Sequence, residues 1–305
     1  MSSAAAELLI IPQAALPASI GSSYTGVAAV LTTLEQFIFV LALLVLVWTV
    51  VGWSRRRRRD PLHNAPLRSN HLGVEPILIA VFVYMLAAVV TSSVVGLIID
   101  DPNGVRGRLI TGISAQLCGI AACLLIADRC FGGGWTGFVF GHAPGRWGRR
   151  VTLIFCASIL ALGLCPLIGE VTVRVILYLF PSHSIEPHPT IAALRAGSQP
   201  AWVVATLWIG AVIVAPIGEE FFFRGLLQTF MVGIVRNRWV AIALTAVVFG
   251  MVHISQPHTV VALAALGVLL GYSYERTGSL VPSILIHSVF NLKTLIWDAL
   301  DGVKP

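Results

Sequence analysis

Between Ala215 and Gly225 the chain reads APIGEEFFFRG. Glu219, Glu220 and Arg224 stand in a run otherwise apolar enough for a lipid bilayer, where charges are costly and are rarely kept without a task. Glu220 and Arg224 are four residues apart, so on a helix they share a face and pair across one turn. Glu219 points about 100° away from Glu220, which leaves its carboxylate free to face something else. Further on, FGMVHIS puts Phe249 and His253 four apart on one helix face, and LIHSVFN does the same for His287 and Asn291. Three apolar helices therefore offer carboxylate, imidazole and amide groups. In lipid such groups face a bundle interior or a wet cavity. A carboxylate beside an imidazole can activate a water or pass protons along a relay. An imidazole and an amide on one face can together donate to an oxyanion.

The elements must bring these groups to one depth. VRNRW (235–239) reads as a turn between antiparallel helices. Glu219 lies ~27 Å before Asn237 and His253 ~24 Å after it, at 1.5 Å per residue. His287 is ~13 Å from a turn at Gly278, and joins that level if the first hairpin projects ~10 Å further. ERTGSLVP (275–282) carries that turn, with Ser279 as the N-cap of the last helix. Gly267 and Gly271 form a G-x-x-x-G, expected to allow close helix approach rather than chemistry.

The whole chain is built for a membrane. Of its 305 residues 57% are hydrophobic and 11% charged, against about 25% charged in soluble domains. Mean hydropathy is +0.87. Spans of the ~20 residues needed to cross a bilayer fall near 31–53, 75–99, 109–130, 151–180, 201–222, 239–256, 259–275 and 280–298. The expected fold is therefore all-α, a polytopic transmembrane helical bundle of about eight spans. It divides into an N-terminal extracytoplasmic segment (1–30), a four-span membrane region (31–200), a four-span core (201–298) and a tail (299–305). FGGGWTGFVFGHAPGRWGRR (131–150) reads as an interfacial loop, since aromatic and basic residues favour the headgroup level.

The net charge of +6 is no nucleic-acid footprint, because the basic residues sit in short runs between apolar spans. Loops after spans 1, 3, 5 and 7 hold thirteen arginines: 55–59, 68, 129, 146, 149, 150, 236, 238 and 276. The opposite side holds four basic residues, Arg106, Arg108, Arg195 and Lys304. The positive-inside rule makes the first side cytoplasmic, with both termini outside and the site expected to open toward the cytoplasm. Cys118, Cys123, Cys130, Cys156 and Cys165 lie in or beside apolar runs with no Cys-x-x-Cys, and read as small core residues. The N-terminus lacks a basic leader and does not read as a cleaved signal peptide. His63, His71, His142, His183, His188 and His258 fall in loops or at span ends and are expected to have no direct role.

EEFFFR, FGMVH and HSVFN, in that order and with ERTGSL before the last, resemble the CPBP (Abi) family of CAAX-processing type II prenyl endopeptidases and bacteriocin-processing proteins. The resemblance covers roughly residues 209–292. It implies an intramembrane endopeptidase acting on a membrane-associated protein or peptide, lipidated substrates included. Glu219 with His253 would activate a water, His287 and Asn291 would stabilise the oxyanion, and Glu220 and Arg224 would support the first helix. Zinc is the cofactor alternative: Glu219, His253 and His287 would supply three ligands, with water as the fourth. Yet span 6 offers one histidine rather than an H-E-x-x-H pair. Asn291 is a poor zinc ligand, and a metal would itself polarise the carbonyl. A metal-free, glutamate-activated water is therefore expected. Two other functions use the same scaffold, a non-catalytic membrane or immunity-type partner and a proton-coupled transporter. Convergence of the four side chains favours hydrolysis, and a row strung across the membrane favours a relay.

Overall fold

The computed structural model describes residues 18–55, 60–63, 65–66, 68, 70–141, 147–182, 184–185, 188–195 and 199–301. Arg56 to Arg59, Arg146, Lys304, His142 and His183, which entered the expectations above, lie outside the described residues. Among the described residues the chain is helical and holds no strand; Asn70 and Phe131 form an isolated bridge. In order come α1 (Ala18–Arg55), α2 (Val74–Ile98), α3 (Val105–Cys130), α4 (Gly134–Phe140), α5 (Trp147–Leu179) and α6 (Pro189–Arg195). A continuous rod, Ala201–Val235, follows, made of α7 (Ala201–Ile209), α8 (Ala215–Glu220) and α9 (Thr229–Val235), with π-helical stretches between them. The chain ends in α10 (Arg238–Met251), α11 (Pro257–Thr277) and α12 (Leu280–Asp301).

Seven of these helices are long and apolar enough to cross a membrane, and α10 is a shorter apolar helix of 14 residues. Seven of the eight expected spans are thus long enough to cross, while the one expected at 239–256 is a shorter helix that ends at Met251, and the protein is a multi-pass all-α bundle. Large apolar side chains such as Phe37, Phe82, Phe155 and Leu97 face outward. Lipid-facing surface of this kind is what a spanning bundle needs. Two cores hold the helices together. One joins α2, α3 and α4 to the rod through Ile77, Ile126, Phe138 and Phe221. The other joins α5 to the rod and to α10, α11 and α12 through Ala161, Phe223, Phe249, Leu266 and Ile286.

The local signals behave as their chemistry requires. Arg236 takes a left-handed φ of 55° and ends the rod. Asn237 Oδ1 then accepts from the N–H groups of Trp239 (3.0 Å) and Val240 (3.2 Å), starting α10. Gly278, at φ 67°, turns α11 into α12, and Ser279 Oγ accepts from Val281 N–H. The 131–150 stretch departs from expectation. It is not wholly a surface loop, because α4 inserts Phe138, 1% exposed, into the core. The physical reason is Gly225: a Cβ there would sit 2.3 Å from the Phe138 ring.

One end of the bundle gathers the loops after α1, α3, α9 and α11. His71 N–H donates to Cys130 O, Arg238 to Pro66 O, Trp239 Nε1 to Asp60 Oδ1, and Ser279 Oγ to Val139 O. These are the loops that carry the arginine excess. The opposite end holds the loops around 99–104, 180–200 and 252–256.

Candidate active site

The rod positions the carboxylates, and two features of its backbone were not foreseen. Residues Gly210–Val214 and Phe221–Gln228 are π-helical. Pro216 accounts for the first: it lacks an N–H and its ring crowds the carbonyl one turn back, so the preceding turn widens. The two π segments bracket Glu219 and Glu220. π segments are rare and frequently lie at functional sites.

Glu220 and Arg224 pair as expected. Arg224 Nη1 donates to Glu220 Oε1 at 2.7 Å, and both side chains are 0% exposed. Arg224 also reaches the Gly267 carbonyl of α11 at 3.4 Å. Its guanidinium lies 4.4 Å from the centroid of the Phe249 ring, a cation–π contact that is stronger away from water. His287, on α12, places Nδ1 2.9 Å from the same Glu220 Oε1. Since a carboxylate accepts, Nδ1 carries the proton and Nε2 is the free nitrogen. That Nε2 stands 3.8 Å from Glu219 Oε2. The Glu219 side chain is 21% exposed while that of Glu220 is sealed. One carboxylate is thus built in and its neighbour is accessible.

His253 is placed differently from expectation. It was read as part of the sixth span, but α10 stops at Met251 and His253 lies in the following turn. Pro257 opens α11 six residues later, so the chain must reverse at once. His253 Nδ1 caps the outgoing helix by bonding the Phe249 carbonyl at 3.0 Å. A carbonyl only accepts, so Nδ1 again carries the proton and Nε2 is left as the basic nitrogen. Phe249 ties the two histidines together. Its ring meets His253 edge-on at 5.5 Å and His287 edge-on at 5.7 Å. Asn291, one turn beyond His287, donates one amide hydrogen to the Ala211 carbonyl at 2.8 Å.

The structure therefore brings Glu219, Glu220, Arg224 and His287 into direct contact. His253 joins them through Phe249, and Asn291 through the rod backbone. Neighbours missed in the sequence complete the surroundings. Gln116 of α3 abuts Gly218, where a Cβ would lie 2.4 Å from Gln116 Oε1. Tyr84 of α2 is near enough to interact electrostatically with Glu219, as is His188 with His253. Partial desolvation, then the neighbouring His253 imidazole, holds the His188 imidazole below its ordinary range. The visible signal was a polar residue inside an apolar run, at Tyr84 and Gln116. Among the described residues no group of three His, Cys, Asp or Glu side chains is gathered to hold a metal ion. Glu219, His253 and His287 do not form such a set.

The depth of the site can be counted along its helices. Gly267, whose carbonyl meets Arg224, is ten residues from either end of α11, hence about 15 Å from each. Glu220 lies one turn beyond Arg224, away from the arginine-rich end. His253 follows the far end of α10. Along the rod, Glu220 is nineteen residues from Ala201 and fifteen from Val235, and along α12 His287 is seven residues from Leu280 and fourteen from Asp301, so the carboxylates and His287 meet near the middle of the bundle.

Residues 200–293 match the model of the type II CAAX prenyl endopeptidase Rce1-like family. The UPF0177 protein YbdI of Lactococcus lactis subsp. lactis (strain IL1403) is 28% identical over 98 residues, covering 32% of this chain and 50% of that protein. The chain thus spans about half the length of this curated relative. No solved structure matches the chain. All six polar side chains singled out in the sequence fall inside the matched stretch.

Proposed function

We propose that the protein is an intramembrane endopeptidase that hydrolyses a peptide bond in a membrane-associated protein or peptide, lipidated substrates included. The observation that carries the reading is the His287 ring, held by sealed Glu220 and facing accessible Glu219 within the matched stretch. Glu219 is the general base, and His253 orients the attacking water through its free Nε2. When protonated, His287 offers Nε2–H toward the developing oxyanion, and the second amide hydrogen of Asn291 supplies another donor. Glu220 and Arg224 hold His287 and the rod in place. No step is routed through a metal, because the three candidate ligands are not gathered.

A relay reading draws on a row of buried groups running on toward the arginine-rich end. Gln228 Nε2 bonds Gly271 O at 3.1 Å and Glu275 Oε1 at 2.9 Å, and Glu275 pairs with Arg68 and Arg238. Yet Arg224 and Gln228 occupy that row, and neither a guanidinium nor a carboxamide gives up a proton near neutral pH. The row is a poor proton path and a good helix fastener.

The test compares protein termini in membranes of cells lacking this gene, complemented with wild type or with Glu219→Ala. Termini that appear with wild type alone are expected. Identical sets of termini would remove the hydrolase reading. Metal analysis of purified active protein decides the finer point. Activity that is lost to a chelator and restored by stoichiometric zinc would replace the glutamate mechanism by a metalloprotease.

A further inference from the structure

We propose that Asn291 stands in for the N–H that Pro216 lacks, and so fixes the register of the rod segment carrying Glu219 and Glu220 against the helix carrying His287. The backbone count shows why a stand-in is needed. In the π stretch Gly210–Val214, the N–H of Ala215 donates to the Gly210 carbonyl, five residues back. The next donor in that register is residue 216, which would serve the carbonyl of Ala211. Residue 216 is proline and has no N–H. The Ala211 carbonyl is therefore orphaned by the sequence, inside a span where water is scarce and an unmet carbonyl is costly. The Asn291 amide meets it at 2.8 Å.

This bond and the His287–Glu220 bond form two fastenings between the same pair of elements. On α12 they are one turn apart, at His287 and Asn291. On the rod they are nine residues apart, at Ala211 and Glu220. Two fastenings fix both the slide and the rotation of the rod, where one would leave it free to swivel. The distance from Glu219 to His287 Nε2, 3.8 Å, depends on that rotation. Asn291 is on this account a positioning residue for Glu219, beyond any contact of its second N–H with substrate. The consequence for turnover rests on the endopeptidase reading; the register role does not.

The experiment uses the full chain in detergent micelles, as wild type, Asn291→Leu, Pro216→Ala and the double variant. Amide exchange is read for peptides covering 210–221, with α10 as internal control, together with the ring-nitrogen resonances of labelled histidine. Asn291→Leu should speed exchange in 210–221 roughly tenfold or more, the loss expected when a half-buried acceptor goes unmet, and should move the His287 signals. Adding Pro216→Ala restores a backbone N–H and should return both toward wild type. If Asn291→Leu alone does not accumulate, accumulation of the double variant supports the proposal and its absence overturns it. Unchanged exchange in Asn291→Leu, or no recovery on adding Pro216→Ala, also overturns it. Turnover lost without a change in exchange would leave Asn291 as an oxyanion donor only. These readouts decide the register role even if the wild-type protein cleaves nothing.

Discussion

Adjacent glutamates with opposite exposures define the residue scale. Glu219 is accessible and within 3.8 Å of one imidazole, whereas Glu220 is sealed with two partners on one oxygen. Their substitutions should therefore fail in different ways. Glu219→Ala and His253→Ala should leave insertion and thermal stability near wild type while cutting turnover about 10²–10⁴-fold, the usual worth of a general base. Wild-type rates in either variant would take that residue out of the chemistry. Glu220→Ala strands the Arg224 guanidinium, and Arg224→Ala strands a carboxylate, each in a fully buried position. Breaking a desolvated pair costs about 3–5 kcal/mol, so both variants should show lower melting temperatures and poorer accumulation as well as lost activity. Two variants as stable as wild type would mean the pair is not the fastening described above.

The elements show which parts of the site were legible in the sequence and why. The turn at Arg236–Asn237 and the cap at Ser279 could be read because their causes are local. The Glu220–Arg224 pair could be read because it needs only one helical turn. The π segments were harder. Pro216 hinted at the first, but the second, Phe221–Gln228, has no local signature; its cause lies in packing. His253 was misplaced for a related reason: helical spacing says which face a residue shares, not where the helix stops. Gln228 was missed outright, although a buried carboxamide in an apolar rod is a polar signal of the same kind as Glu219. It explains Gly271, read in the sequence only as a close-approach residue. A Cβ at Gly271 would lie 2.6 Å from Gln228 Oε1 and 3.2 Å from Ile242. Gly271→Val should therefore push Gln228 off the Glu275 carboxylate and overpack the α10–α11 seam. Overpacking of this kind costs about 1–3 kcal/mol. Gly233→Val, with nothing near its Cβ position, is the control. Equal melting temperatures for the two valine variants would show that the seam is not tight.

The whole molecule sets how the bundle lies in the membrane. The loops rich in arginine meet at one end of the bundle, tied together by Arg68, Arg238 and Glu275. The carboxylates and His287 lie near the middle of the bundle, and His253 lies toward the other end, in the turn after α10. Arginine excess marks the cytoplasmic side of a multi-pass protein. The expectation is that the loops after α1, α3, α9 and α11 face the cytoplasm. Single cysteines test this directly, in a background where the five native cysteines are replaced by alanine. Ser184→Cys lies at the exposed arginine-poor end, and Asn237→Cys at the turn of the arginine-rich end. In intact cells a membrane-impermeant thiol reagent should label position 184 at once and position 237 only after permeabilisation. The converse pattern would place the arginine-rich loops outside.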